Sequence, residues 1–173
     1  GAYRLIPLSN PERLAVDFDG DGRKDLIDNA ADALASTANF LKQGGWRSGQ
    51  RWGIEVKLAA GFDASVAGRT RRKTVAEWQR LGVQISAASA TALDDKAEAG
   101  LIVPAGVAGP AFLTLRNFDV IYGYNAAESY ALAIAHLADR IKGGKAFATP
   151  WPTDDPGLSR QERRELQTLL ANR

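Results

Sequence analysis

Residues 17–28 read DFDGDGRKDLID, and this stretch decides how the rest of the chain is interpreted. It fits the calcium loop of the EF-hand type, in which oxygen ligands occupy positions one, three, five, seven, nine and twelve and glycine occupies position six. Gly22 stands at position six. The candidate ligands are Asp17, Asp19, Asp21, the backbone carbonyl of Arg23, Asp25 and Asp28.

This density of carboxylates in one short segment predicts a bound cation. Like charges so close together repel one another, and a divalent cation removes that cost. Calcium is a hard cation that prefers oxygen ligands, so we predict calcium as the cofactor. Position twelve usually holds Glu, whose longer side chain binds the ion through both oxygens. Here the shorter Asp28 occupies that position, so Asp32 could supply a further carboxylate ligand. The alternative is a solvated acidic turn, since Asp and Gly also favour turns.

The composition is that of a globular domain, with or without a short tail. The chain has 173 residues, of which 45% are hydrophobic and 24% are charged, and its net charge is +2. This near-neutral balance predicts no nucleic-acid partner. The chain contains no cysteine, which excludes disulfides and thiol chemistry and fits either a cytoplasm or a bacterial periplasm. We predict no transmembrane segment and recognise no signal peptide.

The pattern of apolar residues predicts an α+β fold, mainly α. After an irregular segment at 1–14, Asn29 reads as a helix N-cap with Asp32 as its reciprocal partner, and the helix ends at Gly44. A short helix is predicted at 74–81, whereas the basic cluster at 69–73 reads as a solvated loop, as does 86–93. Alternating apolar residues predict a small antiparallel sheet set between helices, with strands at 54–58, 83–85, 101–103 and 111–115.

A second long helix is predicted at 126–141. Asn125 and Glu128 form its capping pair, and His136, the only histidine, is expected to be packed or at the surface rather than a ligand. Trp46 and Trp52 are expected to be core anchors, with sugar stacking as the alternative. The larger apolar residues predicted to share one face of this helix are Tyr130, Ile134, Leu137 and Ile141.

The C-terminal part of the chain predicts a linker followed by a helix. Residues 149–157 are rich in proline and read as a stiff linker. Ser159 and Glu162 form a capping box for a helix that continues to the end of the chain. One helix cannot bury its apolar face alone. It therefore either packs on the body or begins a second domain.

Several segments, in a fixed order that covers most of residues 12–150, resemble the membrane-bound lytic murein transglycosylase B family. The C-terminal segment 158–167, LSRQERRELQ, resembles the start of a peptidoglycan-binding repeat. The segments that carry the main resemblance are 14–22 LAVDFDGDG, 32–33 DA, 36–41 STANFL, 75–78 VAEW, 81–83 LGV, 109–113 GPAFL, 117–118 NF, 124–125 YN and 130–133 YALA.

The resemblance implies a lysozyme-like, mostly helical fold with one EF-hand-like calcium loop. Residues 1–148 would be part of the catalytic domain, and 158–173 the start of a peptidoglycan-binding domain. The family cuts peptidoglycan glycan strands between muramic acid and glucosamine without water and leaves a 1,6-anhydro end. Its members act in the bacterial periplasm, in some cases at the outer membrane, which makes cell-wall synthesis or remodelling proteins candidate partners.

The resemblance also implies residues for the saccharide cleft. Tyr124, Asn125 and Tyr130 match residues that line it, and Phe40 stands where other members carry a cleft tyrosine. Ser9 stands where a cleft serine stands in the family, although the segment around it aligns poorly.

The catalytic glutamate of the family has no match in this sequence. In the family one glutamate acts first as acid on the leaving oxygen and then as base on the C6 hydroxyl, and it lies in a Gly-Val-Glu-Thr-like stretch well before the metal loop. The glutamates between residues 12 and 128 stand in other contexts, so we predict no catalytic residue in the chain as given. The alternative function is a non-catalytic, calcium-stabilised module that binds peptidoglycan or a protein.

Overall fold

The computed structural model describes residues 11–90, 93–152 and 159–171. Within these ranges, a sheet of five strands is set among helices. The helices are α1 Pro11–Leu14, α2 Ala30–Gln43, α3 Val75–Arg80, α4 Ala87–Ala90, α5 Arg116–Tyr124, α6 Glu128–Ile141 and α7 Arg160–Ala171, with a 3-10 turn at Ala64–Val66. The strands are β1 Gly53–Leu58, β2 Gly68–Thr74, β3 Val83–Gln84, β4 Glu98–Ile102 and β5 Ala111–Thr114.

The predicted antiparallel sheet is confirmed, in the order β2-β4-β5-β1-β3. The loop predicted at 69–73 is wrong, because these residues belong to the edge strand β2, which pairs with β4. Charged residues are tolerated on an edge strand, since their long side chains reach solvent. A Cβ on Gly100 of β4 would lie 2.1 Å from the carbonyl oxygen of Arg69. Glycine at this position therefore allows β2 and β4 to approach closely.

The sheet packs on helices on both faces. Trp78 of α3 is fully buried on one face and donates from its indole nitrogen to the carbonyl of Ala99 at 2.8 Å. On the other face, Phe112 of β5 packs with Phe118 of α5 and Leu132 of α6. Burying each such side chain contributes about 1.5–3 kcal/mol, and together they fix α5 and α6 against the sheet.

Helix α5 is a structural element that the sequence prediction lacks. Leu115 precedes its first residue and makes no side-chain capping bond, so no capping signal marks its start. Asn125 follows its last residue, whereas Ala127 precedes α6 without a side-chain cap. The predicted Asn125–Glu128 capping pair is therefore wrong, and Asn125 lies in the turn between the two helices.

The face of α6 that meets the core lies opposite the predicted stripe of larger apolar residues. The buried residues are Ala131, Leu132 and Ala135. Small alanine side chains let α6 approach α5 closely, so the larger residues of the helix point away from the core. His136 stacks on Phe147 at 3.8 Å between ring centroids, which agrees with a packed histidine. The residues of the predicted apolar stripe are Tyr130, Ile134, Leu137 and Ile141, which are 38–78% exposed.

Several short segments differ in part from the prediction, and others agree with it. Pro11–Leu14 is a helical turn rather than irregular, and Ala87–Ala90 is a short helix within a predicted loop. The capping box at Ser159 and Glu162 is confirmed by two reciprocal hydrogen bonds of 3.2 and 2.7 Å. Residues 153–158 of the predicted linker lie outside the described residues. Among the described helices, none is long and apolar enough to cross a bilayer.

Candidate functional site

The acidic loop between α1 and α2 is held by its own aspartates. Asp17 accepts hydrogen bonds from the backbone N–H groups of Gly20 at 2.7 Å and Gly22 at 2.9 Å. Both glycines have left-handed backbone conformations, with φ of +77° and +85°. Glycine at position six of the predicted loop thus has a physical reason, because a side chain would strain this turn.

Three carboxylates meet at one point of this loop. Oxygen atoms of Asp17, Asp19 and Asp32 all lie within 4.8 Å of one another. Asp32 is fully buried and accepts from the N–H groups of Phe18 at 2.8 Å and Asp25 at 2.9 Å. Its carboxylate therefore faces the loop, and its predicted role as the reciprocal partner of Asn29 in the helix cap is wrong.

Asn29 confirms the predicted start of α2 and also ties that helix to the loop. Its side-chain oxygen accepts from the N–H of Ala31 at 2.9 Å and of Asp32 at 3.3 Å. Its amide nitrogen donates to Asp19 at 2.6 Å. One side chain thus caps the helix and orients a carboxylate of the cluster.

The other predicted carboxylate ligands, Asp21, Asp25 and Asp28, do not join this cluster. Asp21 accepts from the N–H of Arg23 at 2.8 Å. Asp25 accepts from the N–H groups of Ile27 and Asp28, and these bonds hold the pKa of Asp25 below its ordinary value. Asp28 is exposed. The structure therefore gathers three of the predicted carboxylates and leaves the rest in local turns.

The cluster has the chemistry and the dimensions for a cation. Two ligands that each lie 2.3–2.6 Å from a calcium ion are at most about 5 Å apart, which the 4.8 Å limit of the cluster satisfies. Repulsion between these carboxylates, one of them fully buried, favours a positive charge between them. If an ion binds here, Asp17, Asp19 and Asp32 are the side chains that would hold it.

A mostly apolar groove of about 270 Å³ lies where α2, α5 and α6 meet. Tyr124, at the end of α5, and Tyr130, in the first turns of α6, share this groove with Trp46. The remaining lining residues are Thr37, Leu41, Ile121, Ile134 and Ala138. Two of the predicted saccharide residues are thus brought together on one wall, and Trp46 joins them.

Tyr124 is the more enclosed of the two tyrosines. Burial raises the pKa of its hydroxyl, the neighbouring Tyr130 raises it further, and a hydrogen bond with Thr37 opposes the shift. Phe40 meets the Tyr124 ring edge to face at 5.2 Å and so supports the wall from behind. Tyr130 is 39% exposed.

Two other predicted saccharide residues take no part in this groove. Asn125 is exposed and does not line it. Ser9 lies outside the described residues. The position of Asn125 follows from the boundary between α5 and α6, which the sequence prediction placed wrongly.

No carboxyl group among the described residues lines the groove. Glu55 instead accepts from the backbone N–H groups of Ala148 and Thr149, each at 2.7 Å. Glu77 closes the capping box of α3 with Thr74. Glu128 lies 3.9 Å from Arg69 at the start of α6. These three glutamates thus make contacts that stabilise the fold.

A partly buried polar network that sequence reasoning missed lies beside α5. Asp119 pairs with Arg69 at 2.7 Å and with Arg72, and Arg69 also lies over the ring of Tyr122 at 3.8 Å. Arg69 and Arg72 lie three positions apart on strand β2, and both pair with Asp119 of α5. Sequence reasoning could have found this network only with knowledge that β2 and α5 are in contact. The cluster of basic residues at 69–73 was the only sequence signal of an acidic partner nearby.

Comparison with known proteins places the chain in a family. Residues 1–139 match the family of transglycosylase SLT domains, and the chain belongs to this family. The fold is accordingly the lysozyme-like transglycosylase fold, of the α+β class. A curated relative, membrane-bound lytic murein transglycosylase B of Escherichia coli strain K12, is 29% identical over 143 residues, which make up 80% of this chain and 37% of that protein.

Solved structures agree with this placement. SltB3 of Pseudomonas aeruginosa, in complex with NAG-anhNAM-pentapeptide, is 48% identical with a TM-score of 0.80, and the match covers 94% of this chain and 44% of SltB3. Escherichia coli Slt35 in complex with calcium is 28% identical with a TM-score of 0.63, covering 78% of this chain and 41% of Slt35. The chain thus spans less than half the length of each of these relatives.

Proposed function

We propose that this chain is the part of a bacterial lytic transglycosylase that binds the peptidoglycan glycan strand. The observation that carries this proposal is the groove in which Tyr124 and Tyr130 lie side by side at the junction of three helices. Aromatic rings stack on the apolar faces of sugars, and hydroxyl groups reach their substituents. Family membership and the sugar-peptide ligands of SltB3 support it.

The reaction of the whole protein would be the non-hydrolytic cleavage of the bond between muramic acid and glucosamine. In this reaction the C6 hydroxyl of muramic acid replaces the leaving oxygen at C1, so no water is consumed. An acid must lie within hydrogen-bond reach of the leaving oxygen. Because no described carboxyl lines the groove, we infer that this chain contributes binding and that the acid comes from elsewhere in the parent.

We propose calcium as the ion of the acidic loop. The support is the arrangement of Asp17, Asp19 and Asp32 and the calcium in the related Slt35. The ion would fix the loop against the N-terminus of α2, the helix that contributes Thr37 and Leu41 to the groove. Calcium is expected to act through the position of α2, because the cluster itself does not line the groove.

Substitution of Tyr130 tests the saccharide role. Tyr130→Ala should weaken binding of NAG-NAM-pentapeptide, measured by calorimetry, about tenfold, because a stacking face is lost. Its melting temperature should change little, since the side chain is 39% exposed. Leu137→Ala is the matched control, because Leu137 is 55% exposed on the same helix and lies outside the groove.

Phenylalanine substitutions separate the two tyrosine hydroxyls. Tyr130→Phe should weaken binding without changing stability, whereas Tyr124→Phe should cost about 1 kcal/mol of stability because its hydroxyl is bonded to Thr37. Unchanged affinity in Tyr130→Ala and Tyr130→Phe would remove the groove from the proposed site.

Two further aspects of the proposal concern the parent protein. We propose a periplasmic location, with or without outer-membrane association, and the similarity to a murein transglycosylase supports it. We also propose that residues 158–173 begin a peptidoglycan-binding domain after the linker at 149–157. The exposed Leu169 and Leu170 of α7 support this, because they leave an apolar stripe for further elements to cover.

A further inference from the structure

A second, polar cavity lies beside the N-terminal end of α5, and the functions proposed above do not use it. Its volume is about 620 Å³, and its walls come from the loop at 47–51, the segment that leads into β4, and the first turn of α5. We refer to it as the arginine trough, after the four arginines that line it: Arg47, Arg51, Arg72 and Arg116.

Two of these arginines are available to a ligand. Asp119 also lines the trough, but it is already bound by Arg69 and Arg72. Among the described residues, the side chains of Arg47 and Arg51 make neither a hydrogen bond nor an ion pair, and both are exposed. Each guanidinium can therefore offer its fork of donors to a carboxylate without giving up an existing partner.

The backbone that carries these two arginines is fixed in advance by a buried side chain. Asn117 of α5 is fully buried; it donates to the carbonyls of Arg47 and Gln50, both at 2.9 Å, and accepts from the N–H of Arg47 at 2.8 Å. Gly49, with φ of +80°, allows the tight turn between them. A loop held in this way loses less conformational freedom when a ligand binds.

A third cavity, of about 420 Å³, shares lining residues with both the trough and the groove of Tyr124 and Tyr130. It shares Trp46, Ile121 and Ala138 with the groove, and Gly49, Gln50 and Arg51 with the trough. The groove and the trough lie at opposite ends of α5, whose length from residue 116 to residue 124 is about 12 Å. A chain of five residues extends to about 17 Å, so a peptide attached to a sugar in the groove can reach the trough.

We propose that the arginine trough binds carboxylates of the peptide that a glycan strand carries, with the sugar in the groove. This inference rests on the proposed function, because it needs the sugar to be bound there. Asp94 and Glu98 also line the trough, so a plain polyanion would meet repulsion. A peptide, which presents carboxylates together with N–H or ammonium groups, suits both signs of charge.

The test compares two ligands that differ only in the peptide. NAG-NAM-pentapeptide should bind the chain about tenfold more tightly than NAG-NAM without peptide, measured by calorimetry at low salt. Arg51→Ala, or Arg47→Ala, should remove most of that difference and leave the affinity for NAG-NAM unchanged. The same disaccharide-pentapeptide with its carboxylates converted to amides should lose the difference on the native chain.

A matched control and the salt dependence sharpen this test. Arg80→Ala removes an exposed arginine at the end of α3, outside the trough, and should leave both affinities unchanged. The advantage of the peptide should shrink as salt rises, because exposed charges are screened. Equal affinity for both disaccharides, or an equal loss in Arg51→Ala and Arg80→Ala, would overturn the inference and leave the groove in place. Binding of neither disaccharide would contradict the proposed function and this inference with it.

Discussion

Asp17→Asn should abolish most of the stabilisation that calcium gives to this chain. Asp17 is one of the three clustered carboxylates, and its two oxygens accept the N–H groups of Gly20 and Gly22. An ion that binds only the folded state at a hundredfold excess over Kd stabilises it by about 2.7 kcal/mol. For a chain of this length that is a rise in melting temperature of roughly 5–11 °C.

Without calcium the same substitution should have a small effect. Asparagine keeps the shape of the side chain but loses one acceptor, which costs about 1 kcal/mol. It also removes the repulsion of Asp17 with Asp19 and Asp32, worth about 1 kcal/mol for each pair in a water-like medium. The relieved repulsion exceeds the lost acceptor by about 1 kcal/mol, so the melting temperature in chelator should lie about 2–4 °C above that of the native chain.

The assay is a thermal melt, followed by circular dichroism, in calcium and in chelator for each protein. Asp63→Asn is the matched control, because Asp63 is an exposed aspartate that accepts from the N–H of Ser65 at 2.9 Å, far along the chain from the acidic loop. Its calcium response should equal that of the native chain. A calcium response of the same size in Asp17→Asn, or none in the native chain, would refute the reasoning.

Further predictions concern the loop, the sheet, the trough and pH. Asp21→Ala should keep most of the calcium response, because Asp21 lies outside the cluster of Asp17, Asp19 and Asp32 and accepts from the N–H of Arg23. Gly100→Ala should destabilise the fold by several kcal/mol, because its Cβ would lie 2.1 Å from a β2 carbonyl, whereas Gly123→Ala, with open space around it, should be neutral or slightly stabilising in denaturant melts. Asn117→Ala should cost about 2–4 kcal/mol by urea titration, since three hydrogen bonds are lost. Hydrogen bonds hold the pKa of Glu77 below its ordinary value, so the stability from that carboxylate is complete above the unfolded pKa and lost as pH falls through the folded one; melts in acid should show this fall, and Glu77→Gln should reduce it.

The parts of the fold that the sequence predicted are those with a local signal. The cap at Asn29, the box at Ser159 and Glu162, and the alternation in β1 each depend on residues a few positions apart. Their physical cause is a hydrogen bond or a burial pattern within one element. Such features can therefore be recognised from the sequence alone.

The errors arose where a distant partner decides the outcome. Edge strand β2 is stabilised by pairing with β4 and by the salt bridges of Arg69 and Arg72 with Asp119. The orientation of α6 depends on close packing through Ala131 and Ala135, although its larger apolar residues suggested the other face.

The candidate site shows the same division. The loop template named Asp17 and Asp19 as ligands and Asp32 as a supplementary one, and oxygen atoms of these three aspartates lie within 4.8 Å of one another. That they bind a cation stays a prediction. Asp25 also fitted the template, yet it accepts local N–H bonds instead. Trp46 joins the groove only because the chain folds back between α2 and β1, and no spacing in the sequence indicates that contact.

Incubation of the chain with purified peptidoglycan sacculi tests the central claim most directly. Two quantities are measured in one experiment: the fraction of protein that sediments with the sacculi, and the 1,6-anhydromuramyl products released into solution. The account predicts that the native chain sediments, that Tyr130→Ala sediments less, and that products stay at the level of a protein-free blank, because no described carboxyl lines the groove. Products above that blank, or a native chain that stays in solution, would contradict it.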